Sequence, residues 1–145
     1  MAIATDQNNL YLWVPEEPDD PTLMGTHGAT ISDIAWSPDA FQLVVSDHSG
    51  AVSFWSVIDR TLRFRRSGHS DYARSVDWHP NGEIIISGGD DNMLLFWDTL
   101  GQITSREEFS TWVMDSDFSA SGDQIGLITF DDAFHVLNTN TWSRT

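Results

Sequence analysis

Residues 67–98 read SGHSDYARSVDWHPNGEIIISGGDDNMLLFWD, and the period inside this stretch is two. SVDW, EIIIS and MLLFW have the length and the β-branched or aromatic content of short strands. HPNG links the first pair and GGDDN the second. Pro80 fixes one φ and Gly82 tolerates the opposite sign, which is what a tight turn requires. Helical spacing with a capping signal is missing throughout the chain.

Working outward, the pattern repeats. Trp13, Trp55 and Trp97 lie 42 residues apart, each closing an alternating segment: NLYLW, AVSFW and MLLFW. Trp36 and Trp78, Pro38 and Pro80, and His27 and His69 share that spacing. A fourth copy follows at an offset of 40 residues, with Phe118 for Trp78, Gly122 for Gly82, Asp131 for Asp91, and Leu137 in place of the closing Trp. The units are expected at about 1–24, 25–66, 67–107 and 108–145, the first lacking its innermost strand and the fourth ending after its third. Strands of about five residues at a 40–42-residue repeat predict an all-β fold, a β-propeller of four-stranded antiparallel blades.

SGH at 67–69, VDWHPNG at 76–82 and SGGDDNMLLFWD at 87–98 resemble the WD-repeat (tryptophan–aspartate) family, whose pattern runs Gly-His, Trp-x-Pro-Asp-Gly, Trp-Asp. The resemblance covers nearly the whole chain. It implies a hydrogen-bond chain inside each blade, from a loop His through a strand Ser and a turn Asp to the indole N–H of the closing Trp. Such a chain satisfies the single donor of a half-buried indole. In the third unit the matching residues are His69, Ser87, Asp91 and Trp97. The second unit has His27 and Trp55 but Val45 and Ser49, the first Ile3 and Gln7 beside Trp13, and the fourth Leu127 and Asp131 beside Leu137. Those three networks are expected to be broken. A catalytic-triad reading of His69, Ser87 and Asp91 is set aside because no oxyanion-hole motif accompanies them.

The resemblance also implies that partners dock on the face made by the loop before the first strand and the turn between the second and third. Those loops hold Ser70, Asp71, Tyr72 and Arg74; Asp47 and His48; Asp90; Trp112 and Met114; and Asp132. From them Tyr72, Arg74, Trp112, Met114, Asp47, His48 and Asp90 are selected as partner-binding residues, since Tyr, Trp and Arg dominate binding hot spots. Tyr72 and Trp112 are equivalent positions of adjacent units and are expected to project near one another. Ordinary packing between blades is the competing account of both.

Charge and composition bound the function. There are 22 acidic residues, 17 of them Asp, against seven basic residues, all Arg, for a net charge of −15 and a pI near 4.2. Phosphates would be repelled, so direct binding of nucleic acid or an anionic membrane is not expected. The missing Lys and abundant Asp fit either a surface that stays hydrated in high salt or the demand for Asp in turns. Zero Cys removes disulfides and thiolate chemistry. MAIATDQNN lacks the basic start and apolar core of a signal, and no apolar run approaches the ~20 residues that cross a bilayer. A cytoplasmic location is expected.

Three further features are weighed. Asp115, Asp117, Ser119 and Asp123 suggest a calcium loop, but Ala120 and Gly126 stand where the sixth-position Gly and twelfth-position Glu belong. EEPDDP at 16–21 reads as a solvated acidic loop. Arg60, Arg63, Arg65 and Arg66 fall on or near the outermost strand of the second unit, where charge blunts an edge or docks an acidic partner segment.

A non-catalytic protein-interaction scaffold is therefore expected, with no cofactor or metal and with other proteins, basic segments included, as partners. The alternative is a propeller enzyme, or a small-ligand or metal binder, using acidic loop residues. About three and a half units leave a ring incomplete, which a second copy or a larger propeller would complete.

Overall fold

The structure is a computed structural model that describes residues 1–5, 7–13, 21–141 and the backbone of 143–144. The described residues form four antiparallel sheets and no helix. The first sheet has three strands, β1 (Ala2–Ala4), β2 (Asn9–Leu12) and β3 (Thr22–Thr26). The second holds β4 (Ile31–Trp36), β5 (Gln42–Asp47), β6 (Ala51–Ser56) and β7 (Thr61–Ser67). The third holds β8 (Ala73–Trp78), β9 (Ile84–Gly89), β10 (Met93–Asp98) and β11 (Ile103–Glu108). The fourth holds β12 (Val113–Phe118), β13 (Gln124–Thr129), β14 (Phe134–Asn138) and β15 (Ser143–Arg144). Every sheet runs in sequence order, so each is an up-and-down blade, and together they make a partial propeller whose ring is not closed. The fourth sheet corrects one expectation: it does not end after three strands, because Leu137 pairs with Arg144 and Asn138 with Ser143.

Turn chemistry repeats with the fold. Asn8, Gly50, Asn92 and Asp132 occupy the same place between second and third repeat strands, all with left-handed φ (62°, 80°, 67° and 60°). These are the residue types that tolerate that region. The carbonyl of each of the first three accepts an N–H from the segment that leaves the blade: His27 on Asn8, Gly68 and His69 on Gly50, and Phe109 on Asn92.

Apolar clusters fill the seams between consecutive sheets. Leu10, Leu12 and Met24 meet Leu43, Val45 and Trp55. Val44, Val52 and Phe54 meet Val76, Ile85 and Trp97. Ile86, Leu94 and Phe96 meet Phe109, Val113, Ile125, Leu127 and Leu137. The middle strands of the second and third blades thus point alternate side chains into two different seams, which is why β5 and β9 read as apolar runs rather than half-polar alternation. Carboxylates tie the inner strands across the seams. Asp33 Oδ2 accepts the Val76 N–H at 2.9 Å, and Asp77 Oδ2 accepts the Phe118 N–H at 2.8 Å. Burial pushes both carboxyls up, although these N–H bonds pull the other way.

Candidate interaction face

The third blade holds a closed hydrogen-bond chain. His69 Nδ1 lies 2.8 Å from Asp91 Oδ1 and His69 Nε2 lies 2.7 Å from Ser87 Oγ, while the Trp97 indole donates to the same Oγ at 2.9 Å. One assignment satisfies every group: the indole donates to Ser87, the hydroxyl to Nε2, and Nδ1–H to Asp91. Burial raises the Asp91 carboxyl, but the His69 bond and the backbone N–H groups of Ser70 and Met93 outweigh it and hold it below its usual range. Gly89 makes the geometry possible, since a Cβ there would strike the His69 ring and the Asp91 carboxylate. Ser87 is fully buried and its hydroxyl is engaged at both ends, the opposite of an exposed nucleophile.

In the second blade the network is rerouted rather than simply broken. Asp47 stands at the place of Gly89, so its carboxylate enters the loop region directly and lies 3.3 Å from His27 Nδ1. Ser49 and Arg65 donate to the same carboxylate. Burial works against these bonds, yet together they hold Asp47 well below the ordinary carboxylate range. The Trp55 indole donates to Ser53 at 3.0 Å instead of to the missing Ser at 45. In the fourth blade Phe109 replaces the His and Leu137 the Trp, so both ends of the chain are apolar and packed together. Thr129 donates to Asp131 at 2.6 Å in the same turn.

The loop residues selected from the sequence divide on burial. Asp47 is fully buried in the second-blade network, which removes it from the surface. Asp90 is 8 % exposed and receives both arms of Arg74 at 2.6 Å. That carboxylate holds Arg74 still more firmly in its charged form. Arg74 also lies over the Tyr72 ring at 5.6 Å. Tyr72, 42 % exposed, stacks on His48 of the preceding blade at 4.4 Å and 6°. Trp112, 37 % exposed, packs against Phe130 of its own blade at 4.6 Å. The two aromatic anchors thus take different ring partners.

Arg74 and Met114 are aimed by a backbone irregularity. The pairing of β8 with β9 skips Arg74, and that of β12 with β13 skips Met114, so each is the extra residue of a β-bulge at the same repeat position. Phe130 escaped sequence reading, although it stands at the turn position of His48 and Asp90, and its 40-residue offset from Asp90 is the signal that finds it. On the outer strand β7, Arg65 is committed to Asp47 and Arg63 donates to Gln42 at 2.7 Å. Arg60 donates to Thr22 of the first blade at 3.0 Å, and Arg66 covers the Phe64 ring at 4.6 Å. Ser119, Ser121 and Asp123 bond one another in the turn after β12. Of the acidic EEPDDP segment, residues 16–20 lie outside the described residues. Among the described residues no helix is long and apolar enough to cross a membrane.

A profile of the WD domain, G-beta repeat family matches residues 21–56 and 60–98, together just over half of the chain. Similar curated proteins include echinoderm microtubule-associated protein-like 3 of Homo sapiens, 32 % identical over 85 residues, which are 54 % of this chain and 10 % of that protein. Echinoderm microtubule-associated protein-like 1 of Mus musculus is 25 % identical over 101 residues, 67 % of this chain and 12 % of that protein. The chain spans about a tenth of the length of these relatives. WD repeats serve in general as protein-interaction scaffolds, and with its four blades, its Gly-His to Trp-Asp units and this match, the chain belongs to the WD-repeat family.

Proposed function

We propose that this chain is a non-catalytic scaffold that captures a protein partner on the loop face carrying His48, Tyr72, Arg74, Trp112, Met114 and Phe130. The observation that carries the reading is the pair of exposed aromatic anchors, each pre-set by a second ring, with Arg74 clamped by Asp90 beside them. Rings already held in place lose little freedom on binding, so their contact area converts efficiently to affinity. Asp71, beside Tyr72 in the chain, and Asp131 and Asp132, just after Phe130, are exposed and favour basic partner segments, with affinity falling as salt rises. Cytoplasmic residence accords with this role. The relatives are named as microtubule-associated, which makes polymerised tubulin the first partner to try.

The test is capture of partners, with cosedimentation on microtubules as one arm, by the wild type and by a Tyr72→Ala/Trp112→Ala variant. At least a tenfold loss of capture with unchanged circular dichroism supports the reading. Unchanged capture sinks the assignment of this face. Hydrolysis of ester substrates that disappears in Ser87→Ala would overturn the non-catalytic part.

A further inference from the structure

At the two interior seams whose leading blade is the second or third, the same three strand positions of that blade are covered. They are Val44, Val52 and Phe54 in the second blade, and Ile86, Leu94 and Phe96 in the third, none more than 1 % exposed. The matching positions of the fourth blade are Gly126, Phe134 and Val136. Phe134 is 68 % exposed there and its neighbour Ile128 is 45 % exposed. With Asp115, Asp117, Gly126 and Leu127 they line a concave patch on the open side of the blade. Asp115 and Asp117 are the equivalents of Asp33 and Asp77, which elsewhere accept an N–H from the next inner strand. The patch therefore has the composition of a seam whose second half is missing: an apolar floor and carboxylate acceptors beside it.

The interior seams also show what such a floor receives. The following blade presents Leu43, Val45 and Trp55, or Ile85 and Trp97, or Ile125, Leu127 and Leu137. At these positions the first sheet carries Met1, Ile3 and Trp13, with Tyr11 between them. Met1 is 60 % exposed, and Ile3, Tyr11 and Trp13 are half-buried. Strand β1 is moreover an edge. Trp13 and Met1 exchange both backbone bonds, so by alternation the N–H groups of Ala2 and Ala4 point away from β2. They are backbone donors on the outer edge of β1, of the same kind as the Val76 and Phe118 N–H groups that Asp33 and Asp77 accept at the interior seams.

We propose that two copies of this 145-residue chain associate head to tail, the Phe134 face of one fourth blade seating on the first-sheet face of a second copy. The contact is heterologous, so two copies close into a ring of eight sheets or continue as an open chain. Each copy carries a net charge of −15, so association strengthens with salt, the reverse of the partner binding proposed above.

Light scattering with size exclusion at high salt tests this on the 145-residue chain, independently of any partner. A mass at least double 16.3 kDa is expected, with at least a tenfold weaker association in Phe134→Asp and in Ile3→Asp. Phe134 is too exposed for its substitution to threaten folding. Should Ile3→Asp lose its circular dichroism signature, Tyr11→Lys serves in its place. The decisive arm mixes the two variants. Each retains the face the other has lost, so an equimolar mixture forms a two-copy species that neither forms alone. A monomer at all concentrations, undiminished association in Phe134→Asp, or a mixture that stays monomeric overturns the proposal.

Discussion

Removing the Ser87 hydroxyl is the sharpest probe of how the third blade is held. Ser87→Ala deletes one atom but strands two buried groups, because Oγ lies 2.7 Å from His69 Nε2 and 2.9 Å from Trp97 Nε1. A buried polar group left without a partner costs about 1–3 kcal/mol, so the pair predicts a loss of about 3 kcal/mol after crediting the desolvation of the hydroxyl itself. Against a typical domain stability of about 5–15 kcal/mol that is a large fraction, and it corresponds to a fall in Tm of about 10 °C at this chain length. Ser53→Ala is the internal control. Ser53 Oγ accepts the Trp55 indole at 3.0 Å and makes no bond to His27, so it strands one side-chain donor rather than two groups and loses about half as much. Denaturant unfolding followed by tryptophan fluorescence gives both values. A double-mutant cycle with Trp97→Phe isolates the indole bond, with a coupling of about 1 kcal/mol expected. A Ser87→Ala cost below about 1 kcal/mol, or one equal to that of Ser53→Ala, refutes the bridging role.

Two other perturbations follow from the repeat. Ala40, Gly82 and Gly122 share the turn between first and second repeat strands with φ of 61°, 77° and 76°, so Ala40 bears a left-handed backbone that its sisters adopt freely. Ala40→Gly is expected to stabilise by up to about 1 kcal/mol in thermal unfolding. Gly82→Ala, where a Cβ meets nothing closer than Pro38 at 3.9 Å, is expected to cost about 1–2 kcal/mol for conformation alone. A destabilising Ala40→Gly refutes the strain. The seam carboxylates set a pH dependence: Asp33 and Asp77 are raised, chiefly by burial. Their folded forms hold a proton more tightly than the unfolded chain, so the stability they contribute is present below the unfolded value of about 3.9 and lost as pH rises through the folded values. Asp91, lowered, works in the opposite direction, its contribution present above that value and lost on acidification below it. Asp77→Asn keeps an acceptor for the Phe118 N–H while removing the charge. It should raise neutral-pH stability and flatten the stability–pH curve above the unfolded carboxylate value, and an unaltered curve would show that Asp77 does not titrate with folding.

Much of the blade architecture is legible in residues 67–98 because a propeller blade is a local object. Its strands are joined by turns of a few residues, and Gly82, Asn92 and the closing Trp97 mark those turns and strand ends by their own stereochemistry. The repeat then places the remaining sheets by arithmetic. The His69–Ser87–Asp91–Trp97 positions follow from the resemblance to the WD-repeat family, since the repeat by itself puts Ile3, Val45 and Leu127 where Ser87 stands. The rerouting through Asp47 was not legible, because alignment compares like positions, whereas a carboxylate reaches the same point in space from position 47 or from position 49 with a different side chain in between. Likewise the stacking of Tyr72 on His48 depends on how far one blade is rotated from the next, while Trp112 finds Phe130 across its own blade.

The opposition holds for the molecule as a whole. Local stereochemistry and a period of 40–42 residues determine the strands, turns and repeat units from the sequence alone, and composition determines the acidic net charge. The bulges that aim Arg74 and Met114, the burial that takes Asp47 out of the interaction face, and the exposure of Phe134 belong to the tertiary structure. Burial and aim are set by what lies across a seam, and a seam joins residues that no single repeat contains.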